Sequence, residues 1–241
     1  MQKPTPKTSV SKCIALGLYT PAMLANFPQN AVLAALASNL TGATDTLAAA
    51  QQAYAGAVIA LIPKRVAVKF ADYASDKAVR ALQRQAEIAD DKKNGKIATA
   101  LFPGGVTPIV RPVGNTQVTE MRSLEGRLEA AAAIWPAALA EKAKITAERT
   151  KYEAALAARR TAMEAAADLR AKRDAAKEDF LDVYSSTADR VKAEFPRDRA
   201  TQDLFFDKVS DAPIADDEDD TDDSAPPAAE LPAAPLPATP A

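Results

Sequence analysis

Ionisable side chains are plentiful in this chain, yet few stand where they could do chemistry together. The densest group is the run Asp216-Asp-Glu-Asp-Asp-Thr-Asp-Asp223. Carboxylates at that density attract cations, but a calcium loop also needs a glycine at its central bend and a terminal glutamate, and the run supplies neither at the required spacing. It reads as solubilising charge or as an electrostatic mimic of a polyanion, not as a metal site. The pairs Asp90-Asp91 and Glu178-Asp179 lie beside lysines and arginines and suit intrahelical ion pairing.

The chain contains no histidine. That removes the usual general base near neutral pH and the commonest nitrogen ligand for metals, and with them histidine triads, zinc sites and the Glu-x-x-His pairs of di-iron bundles. The single cysteine, Cys13, has no partner within the chain and lacks the histidine-flanked setting of an activated thiolate, so it reads as a small buried hydrophobe. Pro103-Gly104-Gly105 is neither a P-loop nor a dinucleotide fingerprint. Asn39-Leu-Thr41 fits a glycosylation sequon, but it falls inside a segment read as a buried helix. These absences point to a protein that is not an enzyme and holds no cofactor or metal.

The elements that carry these residues are dominated by alanine: 56 Ala against 8 Gly in 241 residues. Alanine is the strongest helix former, and it buries so little area that alanine-based packing must be close and long. An all-α fold follows, read as an elongated four-helix bundle, with a long antiparallel helical hairpin or coiled coil as the alternative. Proline after a large apolar residue at Phe27-Pro28, Ile62-Pro63, Phe102-Pro103, Trp135-Pro136 and Phe195-Pro196 looks like helix-start punctuation. The spacing predicts helices over 28–62, 64–94, 116–157 and 160–195, with Trp135-Pro136 as a kink in the third and a turn near Ala157 to Thr161, where Arg159 and Arg160 interrupt the apolar stripe.

As domains, residues 1–27 read as an N-terminal arm or short helix, and 28–210 as the bundle. The bundle includes a loop over 95–115 that packs on its end and a short helix over 197–209. Residues 211–241 read as a disordered acidic and proline-rich tail. The tail holds nine acids and no base, leaving 23 acids against 30 bases in residues 1–210. Lys3, Lys7 and Lys12 before a short apolar run faintly imitate a signal peptide, but Thr20-Pro21 cuts the run short, so a cytoplasmic location is expected.

Residues 28–62 carry one formal charge, Asp45. A helix without a charged face is normally surrounded, and the first expectation is that this one lies at the centre of its own bundle. The sharper expectation is that Ala49, Ala53, Gly56, Ala57 and Ala60 let another copy approach closely. Leu204, Phe205 and Phe206 form a second candidate contact patch. Polar residues along the segment argue against a transmembrane span. The next segment is basic, with Lys64, Arg65, Lys69, Lys77, Arg80 and Arg84 among its charges, yet it lacks the aromatics and reader motifs of nucleic-acid recognition. The expected partners are therefore a second copy or another protein; a granule- or lipid-coating protein and a nucleic-acid accessory protein with an autoinhibitory tail are the alternatives.

Overall fold

A computed structural model describes residues 3–207; the acidic and proline-rich stretch lies outside the described residues. The described chain is helical, with no strand among its elements: α1 (Val10–Leu24), α2 (Ala31–Ala89), α3 (Lys96–Leu101), α4 (Thr107–Val110), α5 (Asn115–Ala131), α6 (Ala138–Glu194) and α7 (Arg199–Leu204). Two of them dominate. α2 has 59 residues and α6 has 57, so each is about 85–90 Å long at about 1.5 Å per residue.

These two helices run antiparallel along their whole length. At one end the Asn30 side chain caps α2 by accepting from the Val32 and Leu33 amides at 2.9 and 3.2 Å, and donates to Glu194 at 2.7 Å. There Leu33, Leu36, Leu40 and Leu47 pack with Phe180, Tyr184, Ala188 and Val191. Midway, the Arg173 guanidinium lies 4.5 Å from the centre of the Tyr54 ring. At the far end Val79, Leu82 and Ala86 share a cluster with Ala138 and Ile145.

The contact positions recur every seven residues. On α2 they are Leu33, Leu40, Leu47, Tyr54, Leu61, Val68, Ser75 and Leu82; on α6, Ala138, Ile145, Tyr152, Arg159, Ala166, Arg173, Phe180 and Thr187, all of them buried or half-buried. A seven-residue repeat keeps one seam facing the partner over many turns.

The boundaries differ from the proline reading in three places. α2 passes straight through Ile62-Pro63. Pro63 is exposed on the side away from α6, so the carbonyl it leaves unpaired faces water, while Leu61 and Val68 continue the seam beneath it. Trp135-Pro136 is a true break between α5 and α6, not a kink: Trp135 is buried against the turn, and its amide donates to Ala131 at 2.9 Å. No turn occurs at 157–161, because the half-buried Arg159 holds a seam position and the surrounding alanines favour helix. The long antiparallel hairpin, the alternative reading, is thus the arrangement of the two main helices.

Short helices thicken the hairpin at its ends. α1 lies on α2 and α6 so closely that a Cβ on Gly17 would collide with Thr44 and Phe180. Phe27, Phe195 and Phe205 close that end, with ring centroids 5.0–6.2 Å apart. At the other end Ile97, Leu101, Phe102 and Ile109 of the 95–115 segment pack on Leu124, Leu128 and Trp135. Asp90 fixes the start of α3 by accepting from the Ile97 and Ala98 amides at 3.0 and 2.8 Å. Desolvation pushes the Asp90 carboxyl up, but those amides and Lys92 outweigh it and hold the group below the usual carboxylate range.

Between these ends the molecule is a bare helix pair. No residue of α2 from Ala48 to Phe70 is fully buried, so the expectation of a helix surrounded by its own bundle is corrected: α6 is its main cover there, with α1 and α5 reaching only the ends of the stretch at Ala50 and Val68. The end clusters should therefore carry most of the stability. Phe180→Ala is expected to cost about 3–5 kcal/mol in urea unfolding, and Ile62→Ala, at a 57% exposed position, less than about 0.5 kcal/mol.

Candidate interaction surface

Carboxylates and a phenol converge where α5 begins, apart from the Arg122, Glu125, Arg149 and Glu153 ion-pair network further along α5 and α6. The Tyr152 hydroxyl accepts from the Gly114 amide at 2.7 Å and donates to Asp72; Asp76 accepts from Gln117 at 2.8 Å. Burial pushes Asp72 and Asp76 above the usual carboxylate range, the latter helped by Asp72, and burial raises the phenol of Tyr152 to about 12. A phenol that keeps its proton to that pH is a poor base. Gly114 has φ 67°, a conformation glycine adopts without strain, and its amide aims at Tyr152. The cluster acts as a latch that fixes the entry of α5 onto α2 and α6. Nothing in the sequence reading singled it out, although Asp72 and Asp76 stand one helical turn apart. The buried thiol of Cys13 is likewise pushed up by desolvation, outweighing the nearby Lys177, which leaves it a packing group.

The larger feature is what the short helices leave open. Lys142 and Arg149 of α6 pair with Glu129 and Glu125 of α5 at 2.7 and 2.6 Å. Lys177 bonds the Pro6 carbonyl just before α1, at 2.9 Å, and Tyr184 bonds Thr20 of α1 at 3.3 Å. These four α6 positions differ by multiples of seven, so α5 and α1 cover the same flank of the hairpin, one at each end. The opposite flank stays uncovered. Along it Ala35, Asn39, Gly42, Thr46, Ala49, Ala53, Gly56 and Ala60 of α2 alternate at spacings of four and three, all exposed. At the α1 end this line borders an open groove of about 900 Å³ between α2 and α6, walled on α6 by Ala176, Val183 and Thr187.

Beside the small-residue line, on the side of α2 facing away from α6, runs a stripe of large apolar side chains. Phe70 is 68% exposed, and Ile59, Ile62, Val66 and Tyr73 are all more than half exposed. Their spacings of three, four, four and three residues place them on one face. The stripe spans Pro63, so cutting the helix there divides it between two segments and hides it. By length and composition α2 is apolar enough to cross a membrane, although polar residues interrupt it and little of that stretch is buried.

Of the candidate contact residues, Ala49, Ala53, Gly56 and Ala60 are exposed and Ala57 is half-buried, all on or beside this outward surface. The second candidate patch divides. Leu204 is 49% exposed, but Phe205 and Phe206 are buried against Phe27, Phe195 and Tyr184 and close the end of the hairpin, out of reach of a partner. No group of three or more metal-ligating side chains lies among the described residues, and the Asp216–Asp223 run falls outside them. Compared with known proteins, the chain matches no family model, no curated protein and no solved structure.

The Tyr152 latch gives a testable consequence. Tyr152→Phe leaves the half-buried Gly114 amide without its partner and should cost about 1 kcal/mol in chemical denaturation at neutral pH. Because the folded phenol sits at about 12 against an ordinary 10.0, its contribution is present below pH 10 and lost as pH rises toward 12. The stability gap between the native chain and Tyr152→Phe should therefore narrow over that window; a gap that stays constant would contradict the role given to Tyr152.

Proposed function

We propose that this chain is a non-enzymatic structural protein, a long helical spacer that self-associates or scaffolds an assembly through the outward surface of α2. The observation that carries this reading is the stripe Ile59, Ile62, Val66, Phe70 and Tyr73, exposed on one face of a helix that has no covering of its own there. Contiguous apolar side chains left in water mark contact surfaces more often than they mark accidents. The convergent ionisable cluster supports the reading indirectly, since its members are tied up in holding α5 in place. A rod with its stability concentrated at two ends suits the separation or alignment of partners.

The test uses a double substitution that leaves the fold alone. Val66→Asp with Phe70→Asp changes side chains that are 62% and 68% exposed, so helicity and melting should match the native chain within about 0.5 kcal/mol. Light scattering of the native chain should give a species larger than one chain, and the double variant a smaller one. Identical association of the two proteins would remove the proposal.

A second reading, an apolar-surface coat, is favoured by the weakly buried apolar window of α2 and by Lys64, Arg65 and Lys69 beside the stripe, a combination that suits an anionic lipid surface. It predicts flotation of the native chain with anionic vesicles and none for the double variant; sedimentation away from vesicles at low salt would dismiss it.

A further inference from the structure

We infer that the outward face of α2 is covered by the same face of a second copy lying antiparallel, with Asp45, Ala49 and Gly56 of one copy opposite Lys77, Tyr73 and Val66 of the other. This rests on the scaffold reading and names its partner. Three independent features of the face support it.

The first is size. Positions facing outward along α2 follow a three-and-four spacing, and their bulk changes sharply near the middle. Before Ile59 the line runs through Gly42, Asp45, Ala49, Gln52 and Gly56; from Ile59 onward it runs through Pro63, Val66, Phe70 and Tyr73. One half is small-sided and the other bulky, so an antiparallel copy places knobs over holes along the whole face, whereas a parallel copy in register sets knobs against knobs. The glycines sharpen the point. A Cβ built on Gly42 or Gly56 meets nothing within 4 Å, so no contact inside the chain accounts for a helix-weakening glycine at either position. A neighbouring backbone approaching from outside does.

The second is charge. Beyond Tyr73 the face carries Lys77, Arg80 and Arg84, all exposed, whereas its first half holds one charge, Asp45. A parallel copy would set the three cations against their own counterparts. The antiparallel copy sets them against an uncharged stretch and brings Asp45 level with Lys77.

The third is area. From Gly42 to Arg80 the seam is about 57 Å long, and a contact strip about 10 Å wide buries roughly 1,100 Å² over both copies, enough to clear the roughly 1,000 Å² expected of a specific interface. The large apolar stripe alone is too short to reach that figure, so the small-residue half is needed as well.

Disulfide trapping of the full-length chain tests the arrangement, since the native Cys13 is fully buried and does not compete. Ala49→Cys and Tyr73→Cys proteins, mixed and mildly oxidised, are expected to link to each other. Either protein alone should not link, because its two cysteines lie about 36 Å apart across the antiparallel pair, far beyond disulfide reach. Gly56→Leu, which has open space within its own chain, should keep its helicity while its dimer dissociates at least tenfold more readily.

Self-linking of Ala49→Cys and Tyr73→Cys as readily as their mixture would overturn the antiparallel pairing, as would unchanged association of Gly56→Leu. A dimer seen by light scattering that gives no Ala49–Tyr73 link would overturn this interface while leaving the scaffold reading standing. A monomer that floats with anionic vesicles would assign the face to lipid instead.

Discussion

The seven-residue seam between α2 and α6 is the constraint on which everything else hangs. Each helix alone, at nearly sixty residues, would be an alanine-rich rod with its seam side chains exposed to water. Paired antiparallel, the two place Leu33, Leu40 and Leu47 against Phe180 and Tyr184 at one end and Leu82 against Ile145 at the other. The short helices then have a platform. α1 fits only because Gly17 lets it approach Thr44 and Phe180, and α5 enters where Tyr152 receives the Gly114 amide.

The seam is uneven, and that unevenness shapes the molecule. Its large side chains are concentrated at the two ends, where third-layer helices cover one flank. In the middle the seam positions are Tyr54, Leu61, Val68, Arg159, Ala166 and Arg173, and the aliphatic stems of the arginines substitute for missing core. Such a stretch is held by little more than helix propensity and one contact line. Local opening is accordingly expected to cost least there and most at the Phe180 and Leu124 clusters.

Stability and contact are thus separated along the rod. The ends bury what holds the fold; the middle of α2 exposes what another molecule could use. Ile59, Val66, Phe70 and Tyr73 contribute little to the folded chain at their exposures, and Gly42 and Gly56 weaken the helix for no internal reason. Residues that serve neither packing nor solubility are most simply understood as serving an encounter, which is why the outward face of α2, and not the Tyr152 cluster, bears the functional proposal.

Alanine content and the lack of any histidine were readable without coordinates, and they determined the helical class and removed chemistry that needs an imidazole, because helix propensity and side-chain reactivity belong to individual residues. The small-residue line Ala49, Ala53, Gly56 and Ala60 was legible for the same reason: spacing along one helix is local information. The large apolar stripe was not, since Pro63 was read as a helix start, and whether a proline breaks a helix depends on which side of it faces water. Burial of Phe205 and Phe206 was equally hidden, because an apolar cluster near a helix end looks the same whether it meets a partner or its own chain. Only the packing of α6 beneath Pro63, and of Phe27 against Phe205, decided between those outcomes, because burial there depends on residues about a hundred or more positions apart in the chain.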